Sequence, residues 1–343
     1  MSAALSEPAV QPKVRPWTFF HVRPRYVTRL SPHLVRVGFA AAPGADPALD
    51  AFADNGFDQR IKLVMPPDGG DLSELPTGDG WWTALRQLPE ERRAQVRTYT
   101  VRRLRQRDGE PIVEVDMVLH TDADGRPCGP ASRWLASILG DEPAGGPAAG
   151  GAGCGWELPV ALLGPDARHP GPHGGLEFVP GCRDDLLLAA DETALPAVAV
   201  ILEQLAADHP DVTGTALIEV PHPDDTMELV APQGISVQWL PRNGVGGYGK
   251  ELVDAALQWR PARASSSVAG TAEPADWDDE LHWDTPMLNG AADPNAPSST
   301  LAFVAGEAGA VKTIRRHLVG PCGLPRDRVA FMGYWKLGRA ETA

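Results

Sequence analysis

The sequence has few cysteines, and no two of them have the spacing of a metal-binding pair. Among 343 residues there are four, at Cys128, Cys154, Cys182 and Cys322, and C-x-x-C spacing does not occur. Zinc and iron–sulfur sites are usually built on such close pairs. The sequence therefore predicts no metal site.

Long apolar runs and an excess of basic charge are also missing. No stretch reaches the roughly 18 apolar residues of a membrane-spanning helix, and residues 1–13 lack the apolar core of a secretion signal. The formal net charge is −14, which disfavours nucleic acid and anionic membranes as partners. We expect a cytoplasmic, monomeric protein.

Apolar residues make up 43% of the chain, enough for two packed domains at about 150 residues each. After a loose arm at 1–15, short segments of alternating apolar and polar residues predict strands. These segments lie at 22–27, 34–39, 59–65, 96–103 and 112–119, with a closing strand at 160–163. Such strands, with few helical segments between them, predict an antiparallel Greek-key barrel domain over 16–180.

The pattern changes near residue 184. The run at 185–190 is almost continuously apolar, and strands and helices then alternate as far as residue 333. This alternation predicts a doubly wound parallel sheet with helices on both faces, in a domain over 181–343. Residues 260–299 are rich in Ala, Ser, Pro and Asp, and we expect a disordered insertion there.

The strand at 96–103 carries the run Arg97-Thr98-Tyr99-Thr100-Val101. Tyr99 could stack on a flavin ring, Thr100 could hydrogen-bond near its reactive nitrogen, and Arg97 offers a fork suited to phosphate. On pattern alone, an ordinary barrel strand is the better interpretation.

A helix is predicted to begin at the run Gly129-Pro130-Ala131-Ser132. Free N–H groups at a helix start attract phosphate, and glycine lets the backbone approach a ligand closely. Ser132 could cap the helix and also contact a phosphate. His120, at the end of the preceding strand, could contact a ribose or the ring. The alternatives are a plain capped helix and a structural histidine.

In the second domain, two turns follow strands whose carboxyl ends we expect at the ligand-binding edge of the sheet. The residues of these turns could face a nicotinamide or its pyrophosphate, or their acids could merely offset two helix dipoles. Their residues are Asp191, Thr193 and Ala194 in the first turn and Gly306 and Glu307 in the second.

Glu219 ends the next strand, where an acid can bind a ribose 2′-hydroxyl and repel a 2′-phosphate. Glu219 therefore favours NADH over NADPH, whereas Arg242, after the following strand, favours NADPH. Past the last strand, Tyr334 and Trp335 could cover a flavin, or could simply pack the strand end. Lys336 and Arg339 would attract an anionic substrate.

Together these motifs resemble the siderophore-interacting protein family of flavin-dependent ferric-siderophore reductases. The resemblance covers roughly residues 17–339. The motifs that carry it, in order, are Arg97-Thr98-Tyr99-Thr100-Val101-Arg102, Gly129-Pro130-Ala131-Ser132-x-Trp134, Asp191-Glu192-Thr193-Ala194-Leu195-Pro196, Ala305-Gly306-Glu307-Ala308 and Gly333-Tyr334-Trp335-Lys336.

The resemblance implies FAD held by the barrel, a nicotinamide donor at the sheet edge, and a basic rim that attracts a ferric siderophore. The predicted rim residues are Lys336 and Arg339. The predicted cofactor contacts are Arg97, Tyr99, Thr100, Val101, Asp116, Val118, His120, Ala131, Ser132, Asp191, Thr193, Ala194, Glu219, Gly306, Glu307, Tyr334 and Trp335.

The sequence departs from the family pattern in three places. A longer turn at 122–128 separates His120 from Gly129, which puts the role of His120 in doubt. The other two are an Ala/Gly/Pro-rich loop at 143–155 and the insertion at 260–299. The chain also has no cysteine-rich C-terminal cluster, which argues against the separate iron–sulfur class of ferric-siderophore reductases.

The implied chemistry needs no acid, base or nucleophile from the protein. Siderophores hold Fe(III) with hard oxygen donors that bind Fe(II) far less tightly, so electron transfer from NAD(P)H through FAD releases the iron. One alternative is a general NAD(P)H:flavin oxidoreductase of another pathway. The other, motivated by the insertion at 260–299, is a siderophore-binding protein without catalysis.

Overall fold

The computed structural model describes residues 14–122, 124–139, 147–148, 159–178, 185–244, 247–261, 283–284 and 300–338. Most of the predicted arm, most of the loop at 143–155 and most of the insertion at 260–299 lie outside these ranges, as does Arg339.

Six antiparallel strands close into a barrel in the first half of the chain. They are β1 (Trp17–Arg29), β2 (Leu34–Ala41), β3 (Arg60–Met65), β4 (Gln95–Arg107), β5 (Glu110–Val118) and β6 (Val160–Pro165). Around the barrel the order is β1-β2-β5-β4-β3-β6, and β6 pairs with β1 to close it. The connections from β2 to β3 and from β5 to β6 skip neighbours, as in a Greek key. This confirms the predicted barrel.

The barrel interior is apolar because alternate residues of each strand point inward. Phe20, Val37 and Phe39 are fully buried there. Helix α2 (Pro130–Leu139) contributes to the same core through Trp134, whose ring stacks on Phe39 at 6.1 Å. A shorter helix, α1 (Trp81–Gln87), packs on a separate apolar cluster outside the barrel.

The second half of the chain forms a parallel sheet of five strands. They are β7 (Asp185–Ala190), β8 (Thr213–Val220), β9 (Gly234–Pro241), β10 (Thr300–Glu307) and β11 (Val329–Trp335). Their order is β9-β8-β7-β10-β11, and the two residues Trp283–Asp284 pair antiparallel with β11. The order reverses between β7 and β10, so the ends of these two strands mark the position where such sheets bind ligands.

Helices cover both faces of this sheet, as predicted. Helix α3 (Leu195–Asp208) packs with Leu186 and Leu188 on one face. Helices α4 (Lys250–Gln258) and α5 (Ala308–Val319) pack with Leu187 and Ala189 on the other. Among the described residues, no helix is both long and apolar enough to cross a membrane.

Candidate functional site

Strand β4 places the residues of the run Arg97-Thr98-Tyr99-Thr100, called the RTYT run below, on its two faces. Arg97 lies opposite Leu63 of β3 and Tyr99 lies opposite Ile61, and both β3 residues belong to the barrel core. Directly opposed residues share a face, so Arg97 and Tyr99 lie on the core side of β4. Tyr99 is half-buried and packs against this core. Part of its ring therefore remains accessible at the margin of the core.

Thr98 and Thr100 lie on the other face of β4. Thr98 Oγ1 accepts a hydrogen bond from Lys62 Nζ at 3.1 Å, and Thr100 lies opposite Arg60. Thr100 is 5% exposed. The two threonines and the neighbouring basic side chains make this face polar, which suits a ligand with hydrogen-bonding edges.

The long turn after β5 forms a hairpin that brings Cys128 back to His120, where the turn begins. The N–H of Cys128 donates to the carbonyl oxygen of His120 at 2.8 Å, and Asp122 Oδ1 accepts from the N–H groups of Asp124 and Arg126. The backbone N–H of His120 also donates to Ser132 Oγ at 2.9 Å. The extra residues of the turn thus leave His120 beside the start of α2.

The start of α2 has the features of a phosphate site. Gly129 has a φ of +83°, and a Cβ added there would meet no atom within 4 Å. The N–H groups of Ala131 and Ser132 have no acceptor within the described ranges. Open space beside unpaired helix-start N–H groups is what a pyrophosphate needs. These residues therefore fit the phosphate end of a flavin dinucleotide.

Three residues of the barrel domain that were predicted to contact a cofactor have side chains that pack or pair within the protein. The side chain of Val101 lies in the barrel core, and its N–H donates to the carbonyl oxygen of Gln59. Asp116 accepts two hydrogen bonds from Arg36, at 2.6 and 2.8 Å. Val118 packs in the apolar cluster of the second domain. The side chains of these three residues are thus occupied by the protein, and their contact with a cofactor stays a prediction.

Asp191 joins three segments at the carboxyl edge of the parallel sheet. It is 1% exposed. Its Oδ1 accepts from the N–H of Thr193, and its Oδ2 accepts from the N–H of Glu307 and from Trp335 Nε1, at 2.8 and 2.9 Å. Burial and the charge of Glu192 raise the pKa of Asp191 to about 6. With its oxygens in use, Asp191 positions the site rather than offering itself to a ligand.

The turn after β10 is closed around Asp191. A Cβ on Gly306 would lie 2.5 Å from Asp191 Oδ2, and the φ of Gly306 is +145°. Glu307 caps α5 through a hydrogen bond from the N–H of Ala310 to Oε2, and its Oε1 accepts from the N–H of Leu337. Ala194 is fully buried, which leaves Thr193, half-buried, as the accessible member of the first turn.

Glu219 lies at the end of β8, where the sequence placed it, but its carboxylate contacts the protein itself. It is completely buried and accepts hydrogen bonds from Arg242 and from the N–H groups of Gly249 and Leu252 at the start of α4. Arg242 also makes two hydrogen bonds of 2.7 Å to Glu192. Glu219 therefore has no oxygen available for a ribose, and Arg242 is committed to two buried carboxylates.

The last two residues of β11, Tyr334 and Trp335, are aromatic and lie at the junction of the two domains. The Trp335 ring lies edge-on to Tyr248, with centroids 4.9 Å apart, and Arg242 lies 4.5 Å from the Tyr248 centroid. Burial is the main reason why the pKa of the Tyr334 hydroxyl is raised, and the charge of Asp58 raises it further. Lys336 is half-buried. Tyr334 thus lies between barrel residues and the sheet edge.

The two domains are joined by polar contacts that the sequence pattern did not reveal. Asp225, after β8, accepts from Ser31 Oγ at 2.7 Å and from the backbone N–H of His33 at 2.9 Å. Arg102 of the barrel forms an ion pair with Glu203 on α3. These contacts hold the β1–β2 turn and strand β4 against the second domain.

Two histidines lie where the domains meet. His33 Nδ1 is 2.8 Å from Asp225 Oδ2, and this hydrogen bond raises the pKa of His33. His120 is open to solvent on one side but surrounded by protein on others, and this partial desolvation lowers its pKa. The charges of Asp191, His33 and Arg242 also act on His120, so it faces the sheet edge.

Comparison with known proteins assigns the chain to a family. A model described as "Siderophore-interacting FAD-binding domain" matches residues 23–142, and one described as "Siderophore-interacting protein" matches residues 183–338. The chain belongs to the siderophore-interacting protein family. The first model covers the strand of the RTYT run and the start of α2, and the second covers the sheet edge and the C-terminal aromatics.

Relatives in this family match over nearly the whole chain. An uncharacterized protein of Mycobacterium tuberculosis is 31% identical over 318 residues, 91% of this chain and 88% of the relative. The ferric vibriobactin reductase ViuB of Vibrio cholerae is 25% identical over 335 residues, 96% of this chain and 93% of the relative.

Two solved structures of siderophore proteins also match nearly the whole chain in fold. A siderophore utilization protein from T. fusca has a TM-score of 0.62 and 25% identity, covering 96% of this chain and 97% of that one. The siderophore-interacting protein SipS from Aeromonas hydrophila has the same fold, with a TM-score of 0.59 at 22% identity and coverage of 95% and 94%.

Proposed function

We propose that this protein is a cytoplasmic, monomeric reductase that moves electrons from NAD(P)H through FAD to a ferric siderophore and releases the iron as Fe(II). The observation that carries the proposal is the start of α2, with its unpaired N–H groups and open space at Gly129, which lies beside the end of β5. Strand β5 pairs with β4, the strand of Tyr99. Membership of a family with an FAD-binding domain over the same residues supports it.

The barrel residues would bind and orient the flavin. The N–H groups of Ala131 and Ser132 would hold the pyrophosphate, and Gly129 would let the backbone approach it. Tyr99 would pack against the ring, and Thr100 would hydrogen-bond to its edge. Arg97 would add positive charge for the phosphates. When bound, FAD accepts two electrons as a hydride and can pass them on singly.

The donor would approach from the carboxyl edge of the sheet. Thr193 offers a hydroxyl there, and Trp335 is held in place by Asp191. Arg242 is paired with Glu192 and Glu219, so it is not available for a 2′-phosphate. The surrounding carboxylates would also repel that group. We therefore favour NADH over NADPH.

The substrate would be an anionic ferric chelate drawn to the positive charge of Lys336, which is half-buried. Because the oxygen donors of a siderophore hold Fe(II) much less tightly than Fe(III), adding one electron is enough to release the metal. ViuB, the relative named as a ferric vibriobactin reductase, supports this substrate class. The chain's residues need only orient the flavin and its two substrates.

Flavin retention tests the proposed seat. Replacing both Arg97 and Tyr99 by alanine removes a phosphate contact and the ring contact, so the purified double variant should lose most of its FAD. The matched control Arg92→Ala removes an exposed arginine whose partner, Glu74, lies away from the seat. Full FAD occupancy in the double variant would contradict the seat.

Substrate choice separates the proposal from its alternatives. Under anaerobic conditions with NADH, the proposal predicts turnover with ferric siderophores and little turnover with free flavin. The reverse preference would indicate a general flavin oxidoreductase. A colourless protein that takes up no FAD would indicate a siderophore-binding protein without catalysis.

A further inference from the structure

A groove on the outside of the barrel is lined by nine residues, of which four are arginines. It has a volume of about 460 Å³, and its walls come from β1, β2, β4 and β5 without any helix. The side chains that matter are Arg103, Arg105 and Arg107 of β4, with Tyr26 and Glu114 beneath them. In a chain of net charge −14, a concentration of arginines at one place is unexpected.

A buried carboxylate fixes two of these arginines. Glu114 is 1% exposed, and its two oxygens lie 2.7 Å from Arg103 Nε and 2.7 Å from Arg105 Nε. Arg103 Nε donates a hydrogen bond to Glu114, so the outer nitrogens of Arg103 point away from that carboxylate, whereas Arg105 is held to Glu114 by the ion pair. The outer nitrogens of Arg103 have no partner within the described ranges, and those of Arg105 have only the Tyr26 hydroxyl, at 2.9 Å.

A buried tyrosine supports the same arrangement. Tyr26 is 4% exposed and donates a hydrogen bond to Glu114. The Arg107 guanidinium lies over its ring, 4.4 Å from the centroid. Gly38 makes room for this ring, because a Cβ there would lie 2.3 Å from Tyr26 Cε1. The positions of all three arginines are therefore set by buried residues.

The balance of charge in the groove is positive. Arg103, Arg105 and Arg107 are each about two-fifths exposed, and Glu114 forms ion pairs with the first two. Arg36 at the groove wall is paired with Asp116 and lies 3.9 Å from Glu114. Arg107 lies 3.8 Å from exposed Asp108 and opposite Glu110, which is itself paired with Arg25. Guanidinium groups with free outer nitrogens bind carboxylate and phosphate groups in pairs of hydrogen bonds.

We propose that this groove is a second binding site, separate from the flavin seat, for a small anion that carries at least two carboxylate or phosphate groups. Arg103 and Arg105 are two residues apart on one strand, so their Cα atoms are about 7 Å apart, which suits two linked anionic groups. Arg105 is five residues from Thr100, or about 16 Å along β4, so this ligand would not occupy the flavin seat.

Calorimetric titration of the full-length holoprotein at low ionic strength tests the proposal, with pyrophosphate and citrate as probes. We expect at least one probe to bind with a Kd below about 1 mM. The tighter of the two would identify phosphate or carboxylate as the natural group. Absence of binding by both probes would overturn the proposal.

Variants locate the binding. R103Q/R105Q should weaken it at least tenfold, and R107Q about threefold, while the control R92Q should leave it unchanged. If the double variant fails to fold because Glu114 loses its partners, R107Q decides the question, since its ion partner Asp108 is exposed. Binding to R107Q as tight as to R92Q and to the unmodified protein would overturn the proposal.

Discussion

The two ends of the predicted electron path differ in how their polar groups are satisfied. At the barrel, the start of α2 has unpaired N–H groups, and Gly129 faces open space. At the sheet edge, Asp191 takes the N–H groups of Thr193 and Glu307, and Glu307 caps α5. The first arrangement is ready to receive an anion, whereas the second is closed by the chain's own carboxylates.

This difference separates residues that bind from residues that position. Both regions carry small and polar residues at helix starts, and the sequence pattern treats them alike. The structure shows that the acids of the sheet edge bond to the protein itself. We infer that FAD is held tightly by the barrel, while a nicotinamide contacts only the accessible surface around Thr193 and Trp335.

The largest effect should come from Arg242→Ala. It would leave Glu192 and Glu219 buried without their cation, which costs roughly 3–5 kcal/mol in the free energy of unfolding. Urea denaturation measures this cost. Arg92→Ala, which breaks an exposed ion pair, should leave the midpoint unchanged. Similar midpoints for both variants would show that the sheet edge does not depend on its buried charges.

A pair of glycine substitutions compares the start of α2 with the edge of the parallel sheet directly. Gly306→Ala would push a Cβ into Asp191 and strain the backbone, at a cost of about 2–4 kcal/mol. Gly129→Ala meets no neighbour, so it should cost only about 1 kcal/mol, for its positive φ. Gly129→Ala should nevertheless weaken FAD binding. Equal losses of stability would refute the contrast between an open and a closed turn.

Two hydroxyl deletions sharpen the assignment of ligands. Ser132→Ala should raise the Kd for FAD several-fold, because the N–H of His120 loses the acceptor that holds it beside the start of α2. Thr193→Ala should leave the Kd for FAD unchanged and raise the Kd for NADH several-fold. Fluorescence titration of the apoprotein with FAD, and of the holoprotein with NADH, gives both values. If Thr193→Ala weakens FAD instead, the two sites have been assigned the wrong way round.

The smallest effect concerns the contact between His33 and Asp225. The folded-state pKa of His33 is raised, so its stabilising contribution is complete below the unfolded pKa of 6.5 and is lost as pH rises through the higher folded value. His33→Ala should therefore cost about 1 kcal/mol more near pH 5 than near pH 9. In an Asp225→Asn background this pH dependence should vanish. If it persists there, Asp225 is not its cause.

The sequence predicted the architecture well because strand and helix patterns are local. Alternation marked the barrel strands, and the apolar run at 185–190 marked a strand covered on both faces. The start of α2 was also predictable, since glycine and serine at a helix start have a direct physical meaning.

The roles of the acids could not be predicted in the same way. Whether Glu219 points to a ligand or to Arg242 depends on contacts 23 residues away in sequence. Asp116 and Arg36 are 80 residues apart, and Asp225 and His33 are 192 apart. No local pattern contains these pairings, so the prediction assigned Asp116 and Glu219 to a cofactor when their partners are protein side chains.

One anaerobic experiment tests the central claim most directly. NADH is added to the purified protein until the flavin absorbance is just bleached, and two equivalents of a ferric siderophore follow, one for each electron of the reduced flavin, with an Fe(II) chelator present. The account predicts that the flavin band returns as the Fe(II) complex appears in proportion. A flavin that stays bleached after the ferric siderophore is added, with no Fe(II) formed, would contradict it.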